Sequence, residues 1–116
     1  MRLGKLPVKL NLLPPAEADV TRQYRYYLVN QDAPEIAARF REEVQRGIQQ
    51  IMRTPKLGSP VRSAVPGLRR WPVAGFDKFS IFYFERRGEL RVLHVLHGSR
   101  NIGRILRQAS PSDYRD

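Results

Sequence analysis

FDKFSIFYFERRGELRVLHVL, residues 76–96, decides how the rest of the chain is read. Phe76 to Glu85 is dense in aromatic and β-branched residues, and Leu90 to Leu96 has the same character. Runs of this kind, bounded by turn residues, read as strands. Between them, Arg86-Arg87-Gly88-Glu89 predicts a tight hairpin in which the glycine supplies positive φ. Both strands are apolar on both faces: Phe79, Ile81 and Tyr83 against Phe82 and Phe84, and Leu93 and Val95 against Val92 and Leu96. A strand of that pattern needs cover on each side.

Working back from the hairpin, Leu68 to Val73 is strand-like, with Pro72 expected to bend it or place it near an edge. Lys56 to Gly67 contains Gly58, Pro60, Pro66 and Gly67 and reads as a surface loop. Upstream the period changes to that of helices. Ile36, Ala37, Phe40, Val44, Ile48, Ile51 and Met52 form one apolar stripe, begun by Asp32-Ala33-Pro34-Glu35 and stopped at Thr54-Pro55. Ala16, Val20, Tyr24, Tyr27 and Leu28 recur at helical spacing after Pro14-Pro15, so a first helix should end near Asn30. Glu17 and Asp19 read as favourable charge near its N-terminus. The short connection makes the pair an antiparallel hairpin. Leu6 to Leu13 reads as a short strand, at an edge. Downstream, Gly98 ends the last strand, Ile102 to Gln108 can form a short helix, and residues 109–116 (ASPSDYRD) lack periodicity and are expected to be mobile.

The predicted order is β-α-α-β-β-β, an α+β fold in a single domain over residues 1–116, with the helical hairpin on one face of an antiparallel sheet. One helical layer covers one face. The other, with Phe82, Phe84, Leu93 and Val95, then needs a curved sheet, a tail or a partner, and the expectation is an open apolar strip that a partner covers.

Composition narrows the chemistry. The 116 residues carry 21 Lys+Arg against 11 Asp+Glu, a net charge of +10, with a mean hydropathy of -0.49. Arginine dominates, with lysine at positions 5, 9, 56 and 78. Guanidinium groups suit bidentate pairing with carboxylate or phosphate, so the excess points to an acidic partner or a polyanion. The absence of cysteine excludes disulfides, thiolate metal sites and cysteine nucleophiles, and fits a cytoplasmic location. No apolar run approaches the roughly 18 residues of a membrane span. Met1-Arg2-Leu3-Gly4-Lys5 lacks the apolar stretch of a signal peptide.

Several stretches fall together in order. Pro15-Ala16-Glu17-Ala18-Asp19-Val20 with the Tyr24–Tyr27 aromatics, then Asp32-Ala33-Pro34, then Pro66-Gly67-Leu68-Arg69 with the aromatic strand, then Leu90 to Leu106 (LRVLHVLHGSRNIGRIL), resemble successive blocks of the ParE/RelE toxin superfamily. The His-Gly-x-Arg turn after the last strand resembles its ParE-like branch. The resemblance covers residues 6–107. It implies the toxin of a type II toxin–antitoxin system, of the kind tied to plasmid stabilization and neutralised by a cognate antitoxin. ParE-like members poison DNA gyrase by direct binding, whereas RelE-like members share the fold and cleave mRNA on the ribosome. A degenerate toxin that only binds antitoxin is a third possibility. A homodimer or a toxin–antitoxin heterotetramer would fit such systems.

The residues weigh the two activities. A metal-independent ribonuclease needs a base, an acid and a charge stabiliser at the phosphorus. The candidates are His97, Arg69, Arg70 and Arg100, with Tyr83 beside them. The set is incomplete, since no further Tyr or His follows the last strand except Tyr114 in the tail. The plainer role for His97 is to bond the Gly98–Asn101 turn, and for His94 to pack as a strand residue. His94 and His97 should face opposite sides of their strand, so they cannot share a metal, and no metal or cofactor is expected. Arg69, Arg70, His97 and Arg100 are therefore read as target-binding residues, with Phe82, Phe84, Leu93 and Val95 as antitoxin-binding residues.

Overall fold

A computed structural model describes residues 9–114. The opening Met1–Lys5, the first part of the predicted Leu6–Leu13 strand and the last two residues of the tail lie outside that range. The order is β1 (Lys9–Leu12), α1 (Pro14–Arg25), α2 (Pro34–Arg53), β2 (Ser59–Pro60), β3 (Arg69–Val73), β4 (Phe76–Arg86), β5 (Glu89–His97), α3 (Ile102–Arg107) and α4 (Pro111–Tyr114). The fold is α+β, as the sequence predicts.

The five strands lie in the order β1-β5-β4-β3-β2. One expectation needs correction: the sheet is mixed, because β1 runs parallel to β5, Leu10 opposite Leu90 and Leu12 opposite Val92. Parallel neighbours require a long crossover, and everything from α1 to the β4–β5 turn serves as one. The edge placement of β1 holds. The β4–β5 turn has φ of 53° at Arg87 and 75° at Gly88, the primed hairpin geometry that the sequence suggested at glycine alone. Pro72 is tolerated because β2 pairs only with Arg69 and Arg70, and the β3–β4 register slips at Pro72/Val73.

The first helix does reach Asn30, but its last five residues, Tyr26–Asn30, widen into a π turn closed by Gln31 N–H donating to the Tyr26 carbonyl. This turn carries Tyr27 inward against Phe40 and Phe76 and leaves Val29 72% exposed. α2 buries Ala37, Phe40, Val44, Gly47, Ile48 and Ile51 on the sheet, as its stripe predicts. Ile36 stays outside the core.

The sheet has a core on each face. With the helices lie Phe79, Ile81, Tyr83, Leu90, Val92 and Val95; on the far face lie Phe82, Phe84, Leu93 and Leu96. Strict alternation fails in β5. Phe82 pairs with His94 but Tyr83 with Val92, so Leu93 is the extra residue of a β-bulge, and Val92 and Val95 share a face.

The open strip expected on the far face is absent. Leu13, Val65, Leu68 and Leu106 bury it, with Ile102, Ile105, Ala109 and Tyr114 packed around them. Phe82, Phe84 and Leu93 are 0% exposed and Val95 3%, and Val95 belongs to the other core. As a surface for antitoxin, these four residues are therefore corrected: the chain's own loop and C-terminal segment cover three, and the helices cover the fourth. Of the tail read as mobile, Ala109 and Tyr114 pack against this core. Arg86 donates to the Tyr114 carbonyl, and Arg91 donates to the Asp113 carbonyl at 3.1 Å.

Two buried polar links tie the layers together. Asp19, 5% exposed, sits on α1 opposite the part of β5 that β1 no longer covers. Its Oδ2 accepts from Val95 N–H at 2.9 Å and from His94 Nδ1 at 2.7 Å, while Oδ1 accepts from Arg22. Tyr83 donates to the Pro55 carbonyl at 2.6 Å and accepts from Gly58 N–H at 2.8 Å, latching the end of α2 to β4. Only glycine fits at position 58, where a Cβ would stand 2.6 Å from the Tyr83 hydroxyl and 2.7 Å from the Arg70 carbonyl. Burial pushes the Tyr83 hydroxyl above its ordinary range, partly offset by the Gly58 hydrogen bond and the nearby Arg69 charge.

Asp19→Ala should cost about 1–3 kcal/mol by leaving the Val95 donor buried and unmet. Arg22→Ala, which removes a largely exposed partner, should cost less than about 1 kcal/mol. Urea denaturation of both variants separates the strand-edge role from a simple ion pair; equal losses contradict it. Tyr83→Phe should also cost about 1–3 kcal/mol near neutral pH. Because the folded-state pKa of Tyr83 is raised, its contribution is fully present below the ordinary value of 10.0 and is lost as pH rises through the folded value. The stability gap between wild type and Tyr83→Phe should therefore narrow above that pH, and a constant gap in alkaline denaturation counts against the assignment.

Candidate functional site

A concavity of about 680 Å³ lies where α1 and its π turn approach the start of β4 and the end of β5. Asp19 and Arg22 contribute from α1, Tyr26 and Tyr27 from the π turn, Phe76 and Lys78 from β4, and His97 and Arg100 from β5 and the turn after it. Two contacts position its helical side. The Asp19–Val95 bond fixes the helix against the strand end, and the π turn swings Tyr27 onto Phe76 at 5.9 Å between ring centroids.

His97 is held on three sides. Its ring stands edge-on to Phe79 at 5.0 Å and 90°, its carbonyl accepts from Arg100 N–H, and its Nδ1 accepts from Ser99 N–H at 2.9 Å. This is the turn-bonding role read from the sequence. An Nδ1 that accepts a hydrogen bond is unprotonated, so the neutral ring carries its proton on Nε2 and offers a donor there. Asn101 then caps α3 by accepting from Arg104 N–H at 3.1 Å.

The four residues singled out in the sequence do not converge. His97 and Arg100 share the cavity. Arg69 instead donates to the Gly58 carbonyl at 2.6 Å and the Lys56 carbonyl at 3.3 Å, securing the loop after α2. Arg70 lies over Phe82, 5.8 Å from the ring centroid, on the far face of the sheet. It pairs with Phe82 while His97 pairs with Phe79, so two strand spacings and three residues separate them, roughly 10 Å in each direction. Tyr83 is 1% exposed with its hydroxyl occupied.

His94 takes a packed position, its Nδ1 against Asp19. It pairs with Phe82 of the far-face core and His97 with Phe79 of the helical-side core, so the two rings face apart as expected. Among the described residues no group of three or more His, Asp or Glu could hold a metal ion. No helix among them is long and apolar enough to cross a membrane.

Sequence reading treated Asp19 as a helix-terminus charge and missed its part in the site. A signal was present, since Asp19 falls three residues after the fully buried Ala16, on the stripe that faces the sheet. Phe76 and Lys78 were also missed as site residues, because only the β3–β4 turn brings them to α1.

Comparison with known proteins agrees with this architecture. A solved structure described as the chromosomal ParDE TA system from P. aeruginosa superposes with a TM-score of 0.66 at 22% identity, covering 78% of this chain and 96% of that one. Comparison with curated protein sequences gives no match. The family model for the ParE toxin of the type II toxin–antitoxin system parDE matches residues 10–102, from β1 to the first residue of α3. The chain therefore belongs to the ParE family of type II toxin–antitoxin toxins.

Proposed function

We propose that the chain acts in the cytoplasm as a binding toxin, poisoning DNA gyrase, and that a cognate antitoxin holds it inactive. Family membership supports the class. The observation that carries the choice of binding over mRNA cleavage is the state of His97. With Nδ1 accepting from Ser99 and the proton on Nε2, the ring offers a donor to the cavity rather than a base for a ribose hydroxyl. Arg69 and the Tyr83 hydroxyl are committed to backbone groups, and Arg70 points to the other face, so of the candidate ribonuclease residues only Arg100 stands beside His97. Arg100 and Lys78, beside it, bear no side-chain bond among the described residues and suit an acidic surface.

Purified protein should inhibit gyrase supercoiling, and should yield no codon-phased mRNA ends with translating ribosomes. His97→Gln should leave gyrase inhibition nearly unchanged, whereas Arg100→Glu should weaken it by about tenfold or more. Codon-phased cleavage that falls about 10²–10⁴-fold in His97→Gln would instead assign a ribonuclease.

The net charge of +10 supports electrostatic steering of an acidic antitoxin. Its association rate should fall steeply between low and high ionic strength in stopped-flow mixing, with dissociation much less affected. A salt-independent association rate contradicts this reading.

A further inference from the structure

We infer that the cavity between α1 and the β4–β5 end binds a planar anion of mononucleotide type, its purine ring against the aromatic wall and its phosphate at the cationic mouth. Two groups of rings form the wall: Tyr26 meets Tyr27 at 5.8 Å and Tyr27 meets Phe76 at 5.9 Å, while Phe79 meets His97 at 5.0 Å, with the buried Phe40 ring packed behind both Phe76 and Phe79. Tyr26 is 44% exposed, which leaves ring surface for a ligand to stack on.

The mouth is rich in donors. Lys78 and Arg100 bear no side-chain bond among the described residues, and His97 adds its Nε2–H. The carboxylates nearby differ. Asp19 is already satisfied by Arg22, His94 and Val95, so it adds little repulsion. Asp77, exposed on the rim, is outweighed by the two cations. A volume of about 680 Å³ falls within the roughly 300–1,000 Å³ of small-molecule sites. Apolar rings on one side and cationic donors on the other select a ligand that is flat at one end and anionic at the other. A free nucleotide and the phosphorylated end of an RNA strand share that chemistry. The inference requires no gyrase and stands or falls separately from the target assigned above.

The test is titration of the full chain, followed by proton–nitrogen correlation spectra, with GMP, guanosine, inorganic phosphate and a short 5′-phosphorylated oligoribonucleotide. GMP should saturate, with shifts centred on Tyr26, Phe76, Lys78 and His97. Guanosine and phosphate should each bind about tenfold more weakly or worse, and so should GMP to the Lys78→Gln/Arg100→Gln double variant. Both substitutions are at exposed positions, and the spectra themselves report whether the fold persists. Tighter binding of the oligoribonucleotide at the same residues assigns the strand end as the source, and equal or weaker binding assigns the free nucleotide. The inference is overturned if millimolar GMP gives no saturable shifts, if the shifts spread over the basic surface undiminished in the double variant, or if phosphate alone matches GMP.

Discussion

The carboxylate of Asp19 is the constraint on which the arrangement of the site depends. β1 covers β5 only as far as Val92, so beyond it the strand presents an edge whose N–H groups need acceptors. Asp19 accepts from Val95 N–H at that point, from a helix that begins two residues after β1 ends. A β-strand edge and a helix are thereby joined by one buried side chain, with His94 and Arg22 satisfying its remaining lone pairs. This fixes α1 beside the end of β5, and the cavity is the space left between them and the β3–β4 turn.

Much of the fold was legible because its strongest elements are written locally. The aromatic run of β4, the apolar stripe of the 20-residue α2 and the Arg87-Gly88 turn each carry their own period or backbone requirement. What stayed hidden depends on residues far apart in sequence. The bulge at Leu93 was not readable because Val92 and Leu93 are both apolar and fit either face. The parallel pairing of β1 is settled by where the whole crossover returns. The far-face cover was hidden for a different reason. Leu106 and Ile105 lie on a short helix of weak pattern, and the segment holding Tyr114 has no period at all. Its position comes from guanidinium bonds to backbone carbonyls, which leave no mark in the tail itself.

The site was half legible. His97 and Arg100 were recognisable because a strand end, a glycine and a short helix define their turn within a few residues. Their cavity partners come from α1 and from the other end of the hairpin, and nothing local announces that meeting. The pairing of Arg69 and Arg70 was misleading in the opposite sense. Adjacent residues of a strand point to opposite faces, so two neighbouring arginines cannot form one patch there. The structure puts one into the loop after α2 and the other over Phe82.

The preference for arginine over lysine, read from the sequence as a preparation for anionic partners, has a second explanation inside the molecule. Arg69 reaches the Lys56 and Gly58 carbonyls, Arg86 those of Pro66 and Tyr114, and Arg91 the Asp113 carbonyl together with Glu89. Arg86 and Arg91 each span, with different nitrogens, two acceptors that lie far apart in sequence, a geometry the planar fork of guanidinium meets and a single ammonium meets poorly, while Arg69 bonds two carbonyls of one loop through one nitrogen. These cations close loops onto the sheet, and Arg86 and Arg91 lie within 6 Å of the Phe84 ring as well. The net charge of +10 therefore counts groups with two different jobs. Those that bond backbone carbonyls have already spent their directional donors on the fold, and they contribute to a partner only through the general field. Directed recognition falls to cations without such bonds. Arg100 and Lys78, from separate elements, are two of these, and they meet at the cavity beside His97.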